Sequence, residues 1–278
     1  MKQPLQLASI LLIFNLLLVV PSLGQQASPK AKAYTYLIYH KLAPGYTLQD
    51  ALPIEREWKA LNQAAVDEGN LIGWYMMAKQ LTSNPDAAEY DYVTMIISSE
   101  MTIKGASPAA RTKIYGDSVQ ARMADLQKRD RTIAPVVKME IWETADAIIS
   151  PGFAPDKTPI LVLDLIRLRD PAADWRSLTG PMKRMASERV KNSQLAGWNI
   201  STLMVPHGSE KGYSLAVVRC AASLSAAVQS DGATGAVPAA EVAKLKTQQI
   251  RTFDIVRQEV YRLTEFTLNP RSTADASR

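Results

Sequence analysis

The chain has 278 residues, 47% of them hydrophobic and 21% charged, with 13 Gly, 16 Pro and a single Cys, proportions that exclude a disordered, collagenous or disulfide-stapled protein. Lys and Arg number 32 against 27 Asp and Glu, and no tract gathers that small excess, which argues against a nucleic-acid partner. Two His and one Cys leave too few ligands for a multi-ligand zinc or iron–sulfur site and nearly exclude a Cys–His protease.

In chain order, the first element is a leader. Lys2, the apolar stretch Leu7 to Val20 and the small residues of Pro21-Ser22-Leu23-Gly24 follow the three-part layout of a secretory signal peptide, with cleavage ahead of Gln25. The apolar stretch covers only about 21 Å as a helix, short of a roughly 30 Å hydrocarbon core. Residues 1–24 are therefore expected to be removed, leaving a secreted or periplasmic protein that is free of the membrane.

An extended run, Tyr34 to Leu42, comes next. Ile54, Trp58, Leu61 and Ala65 then recur at helical spacing and give one apolar stripe. A strand opens at Gly73-Trp74, a turn falls at Asn84-Pro85-Asp86, and a second strand runs from Tyr90 to Ser98. A helix over about Pro108 to Lys128 and a closing strand, Val136 to Trp142, complete a first unit over residues 33–143. Residues 144–157, with two Pro and a Gly, read as a linker.

The order then repeats over residues 158–266. Ile160 to Leu168 is the extended run, and Leu178, Met182 and Met185 form the helix stripe. Gly197-Trp198 matches Gly73-Trp74, Pro206-His207-Gly208 is the turn, and Tyr213 to Cys220 is the second strand. A helix over about Pro238 to Ile250 and the strand Ile255 to Tyr261 close the second unit. Pro53 and Pro181 fall near first helical turns, where proline is tolerated. Cys220 reads as a small buried hydrophobe, and residues 267–278 as a frayed tail.

Strand, helix, strand, strand, helix, strand is the split β-α-β order of a ferredoxin-like unit, whose sheet buries one face under helices and needs a cover for the other. Two tandem copies can cover each other. From this order and the doubled Gly-Trp strand, the chain resembles the dimeric α/β-barrel superfamily in its fused form, over roughly Ala33 to Phe266. The resemblance implies an α+β fold of two tandem ferredoxin-like βαββαβ units forming a pseudo-dimeric α/β barrel, and fits a monomer with an internal pseudo-dimer. The superfamily includes antibiotic-biosynthesis-type monooxygenases, haem-degrading enzymes, chlorite dismutases, dye-decolourising peroxidases and muconolactone isomerases, so fold alone does not choose the reaction. The peroxidase motif Gly-x-x-Asp-Gly is broken, since Val228 stands where its first Gly should precede Asp231-Gly232.

Alternation along the strands sorts the side chains by face. Leu37, Tyr39, Val93, Met95, Val137 and Met139 form an aliphatic set expected beneath helices. Tyr36, His40, Tyr92, Lys138, Glu140 and Trp142, with Asp164, Arg219, Arg257, Glu259 and Tyr261, form a mixed aromatic and ionisable set expected to line a cavity between the two units. Lys138/Glu140 and Arg257/Glu259 each place a cation and a carboxylate two residues apart; they read either as a polar floor for a small acid or as internal ion pairs that close the barrel. His40, with Asp164 as its counterpart, reads as a base or as a satisfied histidine. Trp74 and Trp198 stack on a ligand or pack the core.

The expected function is a secreted small-molecule-binding protein with its cavity between the units. The alternatives are a cofactor-independent monooxygenase or isomerase with His40, Glu140 or Glu259 as base, and an interaction protein with a filled barrel. No cofactor and no metal are expected; haem, ligated by His40, is the alternative the resemblance carries.

Overall fold

A computed structural model describes residues 32–83, 89–208, 211–229 and 237–268. The leader, the Asn84-Pro85-Asp86 turn, Asp231-Gly232 and most of the tail lie outside these residues. Within them, apolar runs of period two form eight strands and amphipathic stretches form the helices that pack on them. The elements are β1 (Tyr34–His40), α1 (Leu48–Asp67), β2 (Gly73–Thr82), β3 (Tyr92–Ser98), α2 (Pro108–Tyr115), α3 (Val119–Ile133) and β4 (Val136–Ile149), then β5 (Ile160–Leu168), α4 (Arg176–Lys191), β6 (Gly197–Val205), β7 (Leu215–Ala221), α5 (Leu224–Val228), α6 (Ala239–Thr252) and β8 (Phe253–Phe266).

The strands form a closed antiparallel barrel in the order β1-β3-β2-β8-β5-β7-β6-β4. Each run of four strands is joined to the other twice, through β2 on β8 and β4 on β6. Closure leaves no open sheet edge. The helices lie outside. Ile54, Leu61 and Ala65 of α1 are buried with Trp58 partly so, and Leu178, Met182 and Met185 of α4 are buried likewise, as their spacing required.

Several boundaries differ from the sequence expectation. The helix expected over Pro108 to Lys128 is two helices, broken by a 3-10 turn that starts at Gly116, whose φ of +61° favours glycine. The closing strands are twice as long as their apolar cores suggested, because β4 continues through Thr144-Ala145-Asp146-Ala147-Ile148-Ile149 to pair with β6. The first six residues assigned to the linker are thus strand. Pro53 and Pro181 each occupy the sixth position of their helix, in the second turn and not the first. Thr267, assigned to the tail, is buried and bonded to the backbone of Trp74. No helix among the described residues is long and apolar enough to cross a membrane.

Candidate functional site

Only the closing strands present the expected residues to the barrel interior. Leu37 stands opposite Glu140, and Leu163 opposite Glu259. Partners directly across a ladder share a face, so Leu37, Tyr39, Val93 and Met95 fill the barrel together with Leu161, Leu163, Leu165, Trp142 and Tyr261. Tyr36, His40, Trp74, Tyr92, Asp164, Trp198 and Arg219, all expected in the cavity between units, lie on the outer face beneath helices and loops. Tyr36 donates to the Met101 carbonyl, Trp74 and Tyr92 pack with Ala51 of α1, and Trp198 packs with Leu178 and Met182 of α4. The cause is a phase error of one residue, which transfers a whole strand from one face to the other. Both faces of β1, β3, β5 and β7 are largely apolar, so hydrophobicity could not set the phase. The register also replaces one equivalence. Thr35 faces Ile97 as Leu161 faces Cys220, and Gly73 and Gly197 face those same residues, so the counterpart of His40 is Ile166 and not Asp164.

At one end of the interior, the two doubled pairs form a single polar network. Glu140 is fully buried and accepts from Tyr39 at 2.9 Å, Tyr213 at 2.5 Å and the Trp142 indole at 3.3 Å, with Lys211 at 3.4 Å and Lys138 at 3.6 Å. Burial pushes its pKa up, but Lys138, Tyr213, Tyr39 and Lys211 together outweigh this and hold it below the usual carboxylate value. Glu259, also fully buried, accepts from Tyr261 and lies 3.0 Å from Arg257. Tyr90 bonds the Tyr261 hydroxyl at 2.8 Å, and Glu89 bridges Arg257 and Lys138. Burial, followed by the neighbouring carboxylates, raises the Tyr39, Tyr90, Tyr213 and Tyr261 phenols, so all four stay protonated as donors. Every strong acceptor here is already used, and a saturated carboxylate is a poor general base.

His40 is buried outside the barrel, stacked on the Tyr92 ring at 4.5 Å. Its Nδ1 lies 3.1 Å from the Ala134 carbonyl and its Nε2 3.0 Å from the Thr94 hydroxyl. Burial pushes its pKa down to about 4, so the ring is neutral. Glu55 of α1, which accepts from Tyr92 at 2.7 Å, has its carboxyl pushed up to about 8 by burial.

Two cavities stand out among the described residues. Inside the barrel, beyond the polar network, an apolar space of about 120 Å³ is lined by Leu37, Tyr75, Met77, Met95, Trp142 and Tyr261, among others. A larger one, about 320 Å³, lies between the second half's sheet and helices α4 and α6. Its floor is Ile166, Trp198, Val217 and Phe253 and its roof Met182, Met185 and Leu245; Asp164, Arg189, Arg219 and Lys246 also line it. The Asp164 carboxylate pairs with Arg219 and accepts from Gln258 at 2.6 Å. Of the residues singled out in the sequence, three meet here: Asp164, Trp198 and Arg219. Met182 and Met185 were read only as a core stripe, and Arg189 and Lys246 carried no signal that separates a lining residue from a helix-surface cation.

No protein-family model matches the chain, and no curated protein sequence does. Solved structures do. A candidate monooxygenase from Fusobacterium nucleatum subsp. nucleatum superposes with a TM-score of 0.53 over 85% of this chain and 93% of that one, at 8% identity. The fold is that of the dimeric α/β barrel. A candidate monooxygenase from Lactobacillus acidophilus matches at 0.46 over 86% and 97%, at 11% identity, and a haem-binding protein from Thermus thermophilus at 0.41 over 88% and 94%, at 10% identity. Likeness at these identities is likeness of fold.

His40 and His207 are the only histidines of the chain, and neither lines either cavity. His40 is enclosed by Tyr92, Ala134 and Thr94, and His207 is exposed in its turn. These residues do not fit a haem held through histidine, and His40, the ligand of the haem alternative, is not placed to bind one in either cavity.

Proposed function

We propose that the chain is one ferredoxin-like unit written twice, exported behind residues 1–24, and that its second copy takes a small, largely apolar anion into the cavity beneath α4 and α6. The observation that carries this reading is the lining, an apolar floor with three cations, Arg189, Arg219 and Lys246, against the one carboxylate of Asp164. A volume of about 320 Å³ is at the small end of ligand sites and suits a molecule of one or two rings. Its apolar body gains about 25 cal/mol per Å² on leaving water, and its acid group is oriented by the Arg219 guanidinium.

The chemistry proposed is of the cofactor-independent oxygenase or isomerase class, which the candidate monooxygenase of the same fold supports. At rest the Asp164 carboxylate is held by Arg219 and Gln258. A substrate anion that takes over Arg219 removes that counter-charge, and a carboxylate that loses a cation binds a proton more readily. Asp164 then accepts a proton from an acidic O–H or C–H of the bound molecule. The base role given to His40, Glu140 and Glu259 passes to it because none of those three lines the cavity.

Native mass spectrometry of protein purified from its own host is expected to show a retained small acid. In calorimetry with 2-naphthoate as probe, Arg219→Ala weakens binding tenfold or more. Asp164→Asn leaves binding intact and abolishes any protein-dependent oxygen uptake with 2,5-dihydroxybenzoate, a quinol that carries an acid group. Binding without uptake in the unaltered protein reduces the reading to a binding module, and no binding of either compound leaves the interaction protein with a filled barrel.

A further inference from the structure

The first half carries a cluster that neither the barrel network nor the proposed ligand cavity uses. His40 at the end of β1, Glu55 on α1 and Asp130 on α3 each bring one potential ligand atom within 4.8 Å of the others. We infer that these three residues bind a divalent transition-metal ion, of which zinc is the type.

The state of the imidazole is the first support. The Ala134 carbonyl can only accept, so the proton sits on Nδ1, and Nε2 is left with its lone pair, to which the Thr94 hydroxyl donates. A ring N–H anchored on a backbone carbonyl, with the other nitrogen an acceptor, is the arrangement in which histidine ligates metals, and an ion at Nε2 takes the place of the Thr94 hydroxyl. The second support is charge. Neither Glu55 nor Asp130 has an ion-pair partner among the described residues, and Asp130 Oδ1 is buried without a hydrogen-bond partner among them. Two neighbouring carboxyls in so enclosed a place either hold a proton or take a counter-charge, and one 2+ ion between two carboxylates and a neutral imidazole supplies that charge. One nitrogen and two oxygens favour a borderline ion such as zinc over calcium or magnesium, which take oxygen ligands. At a metal–ligand distance of about 2.0–2.1 Å, tetrahedral ligands stand roughly 3.4 Å apart, so binding draws the three side chains slightly closer.

An outer contact is also in place: Tyr92 donates to Glu55 at 2.7 Å while stacking on His40. The fold itself does not require the group. At the equivalent positions of the second half, Ile166 stands for His40 by register, and Lys183 for Glu55 when Pro53 and Pro181 are aligned. The sequence expectation of no metal counted only His and Cys; the spacing from residue 40 to 55 to 130 matches no ligand motif, and the carboxylates went uncounted.

The full chain is stripped with chelator, dialysed, and titrated with zinc chloride in a calorimeter, then with cobalt chloride in a spectrophotometer. The expected results are one bound zinc per chain, a rise in thermal midpoint with zinc, and d–d bands from cobalt. Asp130→Asn, which removes no buried apolar surface, weakens zinc tenfold or more and abolishes the bands, whereas His207→Ala changes neither. The cobalt spectrum of the unaltered protein keeps the test decisive if Asp130→Asn does not fold. Absence of both zinc binding and cobalt bands in the unaltered chain overturns the site in favour of a proton shared between the two carboxyls. So does zinc binding that survives Asp130→Asn but is lost in His207→Ala.

Discussion

Glu140 shows how one buried charge can be held by neighbours and still be silent in chemistry. Its five polar contacts, from Tyr39, Tyr213, Trp142, Lys138 and Lys211, make it an anchor. Glu140→Gln leaves two lysines facing a neutral amide and is expected to destabilise the protein by roughly 3–5 kcal/mol, read as a lower urea midpoint. The pH dependence has a definite sign. The unfolded carboxyl titrates near 4.5 and the folded one lower, so this stability is complete above about pH 4.5 and drains as pH falls through the folded value. The variant should therefore lose part of the acid limb of the stability curve, and a limb of unchanged size would show that the lysines find other partners. The cation–carboxylate pairing of Lys138/Glu140 and Arg257/Glu259 was legible because residues two apart share a face. The tyrosines that saturate it were legible only as residue types, because Tyr90 and Tyr213 lie outside the strands and each reaches a closing strand of the other half.

At the scale of elements, order and approximate position followed from the sequence, and phase and length did not. The α1 and α4 stripes fixed which side of each helix is buried, since a polar face opposes each apolar one. In β1, β3, β5 and β7 no such contrast exists, and the face was assigned wrongly for each; that moved Asp164, Arg219 and Trp198 from barrel interior to helix side. The continuation of β4 past Trp142 was hidden because Thr144 to Ala147 is not apolar; those residues are strand because β6 needs a partner, a demand made by closure and not by local propensity. The break between α2 and α3 has a local cause that can be tested. Gly116→Ala forces a side chain into a positive φ and is expected to cost about 1–2 kcal/mol, whereas Gly105→Ala, with open space and no such φ, should be neutral. Equal denaturation midpoints for the two would remove the conformational explanation.

The whole molecule divides its work by location. The barrel interior is packed by apolar side chains at one end and by the Glu140–Glu259 network at the other, leaving about 120 Å³. The roomier space lies outside it, beneath α4 and α6, and the two halves differ there: the corresponding layer of the first half is filled by Trp58, Tyr92 and the His40 cluster. The sequence showed the repeated order of elements but not this difference, because helix-to-sheet spacing depends on how side chains from distant segments fill the gap. The location of the ligand is the claim on which the functional account turns. The direct measurement is a methyl NMR titration of protein labelled at the methionine methyls, with 2-naphthoate as ligand. Met182 and Met185 line the outer cavity, and Met77 and Met95 the inner one. Shifts confined to Met182 and Met185 are the predicted result; shifts at Met77 and Met95 with the helix pair unmoved would put the ligand inside the barrel and contradict the account.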